Sequence, residues 1–181
     1  MRSHDRRSSS VSLWRTLRVD AERDGASSVP AALLRAFGTV RFQAVVLVRV
    51  AAAMQRVSPV AASMVKYLNS VLTGCDVAAA ARIGPGLRLY HPTGVVIGPD
   101  VVIGANCTVQ QHATLGYGGS GSPKVHDDVV IGPGAVVMGA LTIGRGARVG
   151  ANAVVTKDIA PYELWAGVPA RFLRRMPAPG E

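Results

Sequence analysis

From Val77 to Val155 an aliphatic side chain returns at intervals of six. The series runs Val77, Ile83, Leu89, then Ile97, Ile103, Val109, Leu115, then Val125, Ile131, Val137, Ile143, Val149 and Val155. A second small or aliphatic position follows most of these by four residues, at Ala81, Val101, Cys107, Ala113, Val129, Ala135, Ala147 and Ala153. A period of six fits neither an α-helix nor an alternating strand. It fits one flat side of a triangular coil with three hexads per turn and its aliphatic side chains stacked inward. Thirteen such hexads make a little over four turns, and Gly and Asn at the corners tolerate the positive φ that tight bends need.

The rest of the chain is divided accordingly. The expected fold class is mainly β, a left-handed parallel β-helix of hexapeptide repeats, preceded by a small α-helical N-terminal region. Residues 1–12 read as a disordered basic tail, 13–73 as the helical region, 74–160 as the β-helix and 161–181 as a C-terminal tail. Within the helical region, 13–24 predicts a short helix. Residues 30–55 predict another, with Pro30 at its first position and a stripe of Leu33, Leu34, Phe37, Val40 and Phe42. Residues 58–73 predict a third, capped by Ser58, with Pro59 in its first turn and Gly74 as its stop.

Composition agrees with a layered aliphatic core. Aromatic residues make up 5% of the 181-residue chain. The net charge of +9 is split between the two ends rather than gathered in one block. No aromatic-rich nucleic-acid signature interleaves with it, so no nucleic-acid partner is expected. Cys75 and Cys107 form no CxxC and no cluster with His, so they read as small buried hydrophobes in a reducing cytoplasm, and no metal site is expected. The apolar stretch Phe42–Met54 is short and is interrupted by Gln43 and Arg49, which excludes a membrane span. No signal peptide is visible.

The repeat slips twice. Leu89 to Ile97 is eight residues and Leu115 to Val125 is ten. Insertions in a solenoid usually sit on a functional face. The first carries Tyr90-His91-Pro92-Thr93-Gly94. The second is the Gly/Ser loop Tyr117–Ser122, whose amides can close over a ligand, with Gly118 as the expected cofactor contact. His91 is suited to act as a general base on a hydroxyl, and an acid beside its other nitrogen would fix the tautomer. Asp76 lies fifteen residues earlier, close to one coil once the insertion is counted, so the two are expected to stack as neighbours. The alternative is that His91 is only a corner residue. His112 has no acid in register and reads as an exposed face residue.

The segments GCDVAAAARIG, YHPTGVVIG, ATLG, VVIGPGAVVMGALTIGRGARVGANAVVTKDIAP and AGVPARFL together resemble serine acetyltransferase and related bacterial hexapeptide-repeat O-acetyltransferases. The resemblance covers roughly residues 20–175 and is most specific along 74–172. It implies direct attack of an acceptor hydroxyl on the thioester of acetyl-CoA, the co-substrate, with no covalent enzyme intermediate. It implies His91 as general base, Asp76 as its acid partner, and Asp24 in ERDGA as a substrate-binding carboxylate. CoA would lie in a groove between the β-helices of two subunits of a homotrimer, or of a pair of trimers, near Ala151 and Lys157.

The departures from the family pattern bear on the acceptor. The family's second loop usually ends in Arg-His-Pro. The hexad register makes Val125 a core position, aligns Pro123 with the family's Pro, and puts Ser122 in place of the His, with no Arg before it. Ser122 is then expected in the loop nearest His91, and His126 on an outer corner. Tyr90 stands where the family often has Asp, and Tyr117 where it has Gly. Loss of a carboxylate-clamping Arg turns attention from L-serine to a sugar or another polar alcohol. Three readings follow: a serine acetyltransferase-like enzyme, a sugar or exopolysaccharide O-acetyltransferase of the same fold, and a non-catalytic β-helix scaffold. The pair Asp76 and His91 speaks against the third. The C-terminal Ile with which serine acetyltransferases dock into cysteine synthase has no counterpart in the final Ala178-Pro179-Gly180-Glu181, so no such complex is expected.

Overall fold

The computed structural model describes residues 12–26, 30–31, 34, 38–178 and 180. A left-handed solenoid of about four turns follows a helical region in which three helices lie wholly within the described residues. The first turn comprises β1 (Asp76–Val77), β2 (Arg82–Ile83) and β3 (Arg88–Tyr90); the second β4 (Val96–Ile97), β5 (Val102–Ile103) and β6 (Thr108–Gln110). The third comprises β7 (Thr114–Gly116), β8 (Lys124–Val125) and β9 (Val130–Ile131); the fourth β10 (Val136–Met138), β11 (Thr142–Ile143) and β12 (Arg148–Val149). A fifth opens with β13 (Val154–Val155). Every third strand stacks in parallel, which gives three faces: β1-β4-β7-β10-β13, β2-β5-β8-β11 and β3-β6-β9-β12. The segment 161–181, expected as a tail, carries two more strands. β14 (Glu163–Ala166) extends the third face, and β15 (Arg171–Arg175) pairs with it in antiparallel fashion.

The pairing register measures the coil. Val96 lies opposite Thr114, and Val136 opposite Val154, so a plain turn takes 18 residues. Asp76 lies opposite Val96, 20 residues on, and Thr114 opposite Val136, 22 residues on. The surplus of two and four residues is extruded at the two insertions while the ladders above and below continue unbroken. The hexad side chains fill the interior as one continuous core, with Ile83 partly buried at its edge. Val125 is 3% exposed and stacks between Ile103 and Ile143, whereas His126 is exposed, so the register expected for the second loop is the observed one. The corners use Gly86, Gly94, Gly134 and Gly146 at positive φ. They also use Asn106, Asn152, Asp128, Tyr162, His91 and His112.

The helices are α1 (Leu13–Arg23), α2 (Val40–Met54) and α3 (Pro59–Thr73). α3 matches its expected caps: Ser58 Oγ accepts from the Ala61 amide at 3.3 Å, and Gly74 ends the helix at φ 70°. The helix expected over 30–55 does not run through. Thr39 is extended, at φ −133° and ψ 110°, and starts α2 afresh. Of the proposed stripe, Leu33 and Phe37 lie outside the described residues, as does the basic tail up to residue 11. The outward face of α3 leaves Val60, Met64, Tyr67, Leu68 and Val71 exposed.

One buried ion pair docks the helices on the coil. Arg49 of α2 donates from Nε to Asp20 Oδ2 of α1 at 2.8 Å. It also donates to the carbonyls of Ile83 and Gly84, each at 2.6 Å. Asp20 Oδ1 accepts from the amides of Gly86 and Leu87 at 2.7 and 3.0 Å. Both side chains are almost fully buried, so removal of one strands the other without solvent. We expect Asp20→Ala to lower the unfolding free energy by about 3–5 kcal/mol. Arg18→Ala, which breaks the solvent-exposed pair with Glu22, should be near silent by comparison. Urea unfolding of the two variants checks this; equal effects would remove the pair from its docking role.

Candidate active site

His91 is exposed and sits at the corner between the third and first faces, at φ 66°. A non-glycine residue in that conformation is costly unless the surroundings impose it. Here the ladders impose it: Tyr90 pairs with Gln110 before the corner, and Gly94 donates its amide to the Gly74 carbonyl at 2.8 Å after it. Asp76 lies on the rung below, its amide bonded to the Val95 carbonyl at 2.8 Å. The coil therefore brings Asp76 and His91 to the same corner on neighbouring rungs. No hydrogen bond joins them. The Asp76 carboxylate instead holds Lys66 Nζ of α3 at 2.6 Å, a half-exposed contact.

Asp24 reaches the same corner from the helical region. It caps the C-terminus of α1, and its Oδ1 binds Arg41 Nε of α2 at 2.9 Å. The Arg41 guanidinium carbon stands 5.3 Å from the centre of the Tyr90 ring, and Tyr90 meets the His91 imidazole edge to face at 5.6 Å. Contacts thus run unbroken from Asp24 through Arg41 and Tyr90 to His91. Arg23 and Arg88 buttress this side. Arg23 donates to the carbonyls of Gly86 and Cys107 and to Thr108 Oγ1, while Arg88 donates to the Arg23 carbonyl. Burial, then the neighbouring Arg88, pulls the Arg23 guanidinium below its ordinary value. Arg41 was not singled out from the sequence. The signal available was Arg49, a lone charge in an apolar helix, whose need for a buried partner implies that α1 and α2 pack together here.

The remaining expected site residues lie elsewhere on the chain. Ala151 is exposed at the corner shared with His91, between β12 and β13. Gly118, Ser122 and Lys157 lie at the next corner, between the first and second faces. Ser122 is therefore not the loop residue beside His91 within one chain. The first insertion follows β3 and the second follows β7, so a whole face of the triangle separates them. The second loop is held locally: Gly118 donates to the Gly121 carbonyl at 3.0 Å, and Ser120 Oγ accepts from the Ala140 amide at 3.3 Å. A Cβ on Gly118 would meet the backbone nitrogen of Gly139 at 2.6 Å, so no larger residue fits without moving the rung above. His112 occupies a corner at φ 58° and packs against Gly94.

Neither cysteine is a nucleophile. Burial pushes the Cys75 thiol up to about 12, with Asp76 adding to the effect. Burial likewise pushes Cys107 up to about 11, against an opposing hydrogen bond from the Val129 backbone. Both thiols stay protonated at neutral pH, and the thiolate is the reactive form.

Comparison with known proteins fits this geometry. Residues 122–157 match the bacterial transferase hexapeptide (six repeats) model, and 93–116 the hexapeptide repeat of succinyl-transferase. The serine acetyltransferase of Escherichia coli K12 is 42% identical over 108 residues, which is 58% of this chain and 40% of that one. The structure of soybean serine acetyltransferase complexed with serine superposes with a TM-score of 0.75 at 38% identity, covering 89% of this chain and 68% of that chain. The chain belongs to the serine acetyltransferase family. A further serine acetyltransferase, solved in complex with CoA, superposes with a TM-score of 0.80 at 29% identity over 89% of this chain and 69% of that one. The match spans about 40% of the length of the Escherichia coli relative.

Because both thiols are buried and protonated, we expect neither to react with iodoacetamide at pH 8 in the folded protein, and both to react once urea unfolds it. Mass spectrometry counts the adducts. Modification of the native protein would contradict the burial that raises both thiols.

Proposed function

We propose that this chain is an acetyl-CoA-dependent O-acetyltransferase of the serine acetyltransferase type, with His91 as general base. The observation that carries the reading is the corner where the coil places His91 one rung above Asp76, beside Asp24, Arg41 and Tyr90. His91 takes the proton of the acceptor hydroxyl as its oxygen attacks the thioester carbonyl. Collapse of the adduct breaks the carbon–sulfur bond, and the proton passes to the departing CoA thiolate. Asp76 steadies the imidazolium on release from Lys66. With both thiols unreactive, direct transfer needs no acyl-enzyme. The soybean relative's bound serine and the other relative's CoA support serine as acceptor and CoA as acyl carrier.

The active unit in this reading is a homotrimer. Gly118, Ser122 and Lys157 sit a full face away from His91, so one copy's second corner must meet another copy's first corner for the two sets to act together. Cyclic packing of three copies makes three such seams, with acetyl-CoA held between Ala151 on one side and Gly118 and Lys157 on the other. The exposed apolar face of α3 is consistent with subunit contact. Among the described residues no helix is long and apolar enough to cross a membrane, in keeping with a cytoplasmic enzyme.

His91→Ala should leave the oligomer intact by light scattering and lower acetyl-CoA-dependent thiol release by roughly a hundredfold or more. Near-native turnover in that variant would remove His91 as the base. A monomer that still turns over acetyl-CoA would remove the shared site.

A further inference from the structure

Resting on that reading, we propose that Arg41 is the anchor for the acceptor's carboxylate, replacing the arginine that the second loop lacks. An α-amino acid presents an ammonium and a carboxylate on adjacent carbons. The corner beside His91 holds the complementary pair, Asp24 and Arg41, bound to each other at 2.9 Å. Replacing that contact with two, Asp24 to ammonium and Arg41 to carboxylate, keeps every charge partnered and adds no net charge to the site. An acceptor with an ammonium and no carboxylate takes Asp24 from Arg41 and offers the guanidinium nothing in return.

Position and freedom single out Arg41 among the arginines around Tyr90. Arg23 is spent on two coil carbonyls and Thr108 Oγ1, and Arg88 donates to the Arg23 carbonyl. The Arg41 side chain is 36% exposed and the Asp24 side chain 10%, so the guanidinium is the partner an incoming acceptor reaches first. Contacts of 5.3 and 5.6 Å through the Tyr90 ring separate the guanidinium from the His91 imidazole. The two groups therefore stand no more than about 11 Å apart, which leaves room for a small acceptor whose hydroxyl and carboxylate lie roughly 4 Å apart, with a hydrogen bond of about 2.8 Å at each end. The Tyr90 ring lies beneath the guanidinium and offers it a cation–π contact that leaves the fork's N–H groups available. The arginine has moved from loop to helix, and the second loop is relieved of holding the amino acid.

The test compares L-serine with ethanolamine, which is serine without its carboxylate, in acetyl-CoA-dependent thiol release. The native protein should favour serine. Arg41→Ala should lower kcat/KM for serine by about tenfold to a hundredfold, with ethanolamine little changed. Arg41→Lys keeps the charge beside Asp24 but loses the fork, so it serves if the alanine variant is poorly folded; it should show the same selective loss. An unchanged serine-to-ethanolamine ratio in a folded variant overturns the anchor and leaves the acetyltransferase reading standing, as does a native protein that uses both acceptors equally. Thiol release with neither acceptor, alongside release with a sugar, overturns the anchor while the transferase chemistry survives. No release with any hydroxyl acceptor overturns both.

Discussion

Asp20 and Arg49 hold the molecule's two halves together. A β-helix presents carbonyls and amides at its first turn with no rung below to receive them. Here the open end is met by a carboxylate that accepts two coil amides and a guanidinium that donates to two coil carbonyls. The pair neutralises itself while it satisfies the backbone around Gly84 and Gly86. A charged pair in such a place contributes less through its own attraction than through the specificity of its hydrogen bonds. Its consequence is positional. With Asp20 pinned, Asp24 emerges one helical turn later beside β3, and with Arg49 pinned, Arg41 emerges two turns earlier on the same side. The corner proposed for the acceptor is thus assembled from three segments that are remote in sequence.

The coil was legible in the sequence because its constraint is local and repeated. Each hexad needs one inward aliphatic, so the positions of Val125 and His126 follow from Ile131, Val137 and Ile143 without any knowledge of the partner rungs. His91 and Asp76 were legible for the same reason, since rung spacing converts directly into stacking. The same count, taken modulo three, places the first insertion after a third-face strand and the second after a first-face strand. That arithmetic separates Ser122 from His91 within one chain, against the expectation that the two loops adjoin. The helical region was harder. The break at Thr39 is marked in the sequence only by Gly38 before it, and an isolated Gly within a helical pattern is a weak stop signal. The Asp24–Arg41 contact joins two helices across a gap that no short-range rule spans.

The proposed site is divided between two corners, and the proposed trimer answers that division. A single coil is a prism whose corners point away from one another, so Gly118 and His91 of one chain stay apart. In the proposed trimer, a threefold rotation would bring one copy's Gly118 to another copy's His91 without deforming either. Catalytic geometry then depends on how accurately one rigid body seats against the next, which aliphatic layers with little internal freedom serve well.

The 22-residue step between Thr114 and Val136 has a consequence for how such proteins change. The ladder resumes its register after four surplus residues as readily as after two. Loop length at that corner is therefore decoupled from the core, and residues can be gained or lost there without re-solving the packing of any layer. Lineages on this scaffold are free to lengthen, shorten or rewrite the ligand-facing segment as a cassette, while the prism beneath carries the stability from one version to the next.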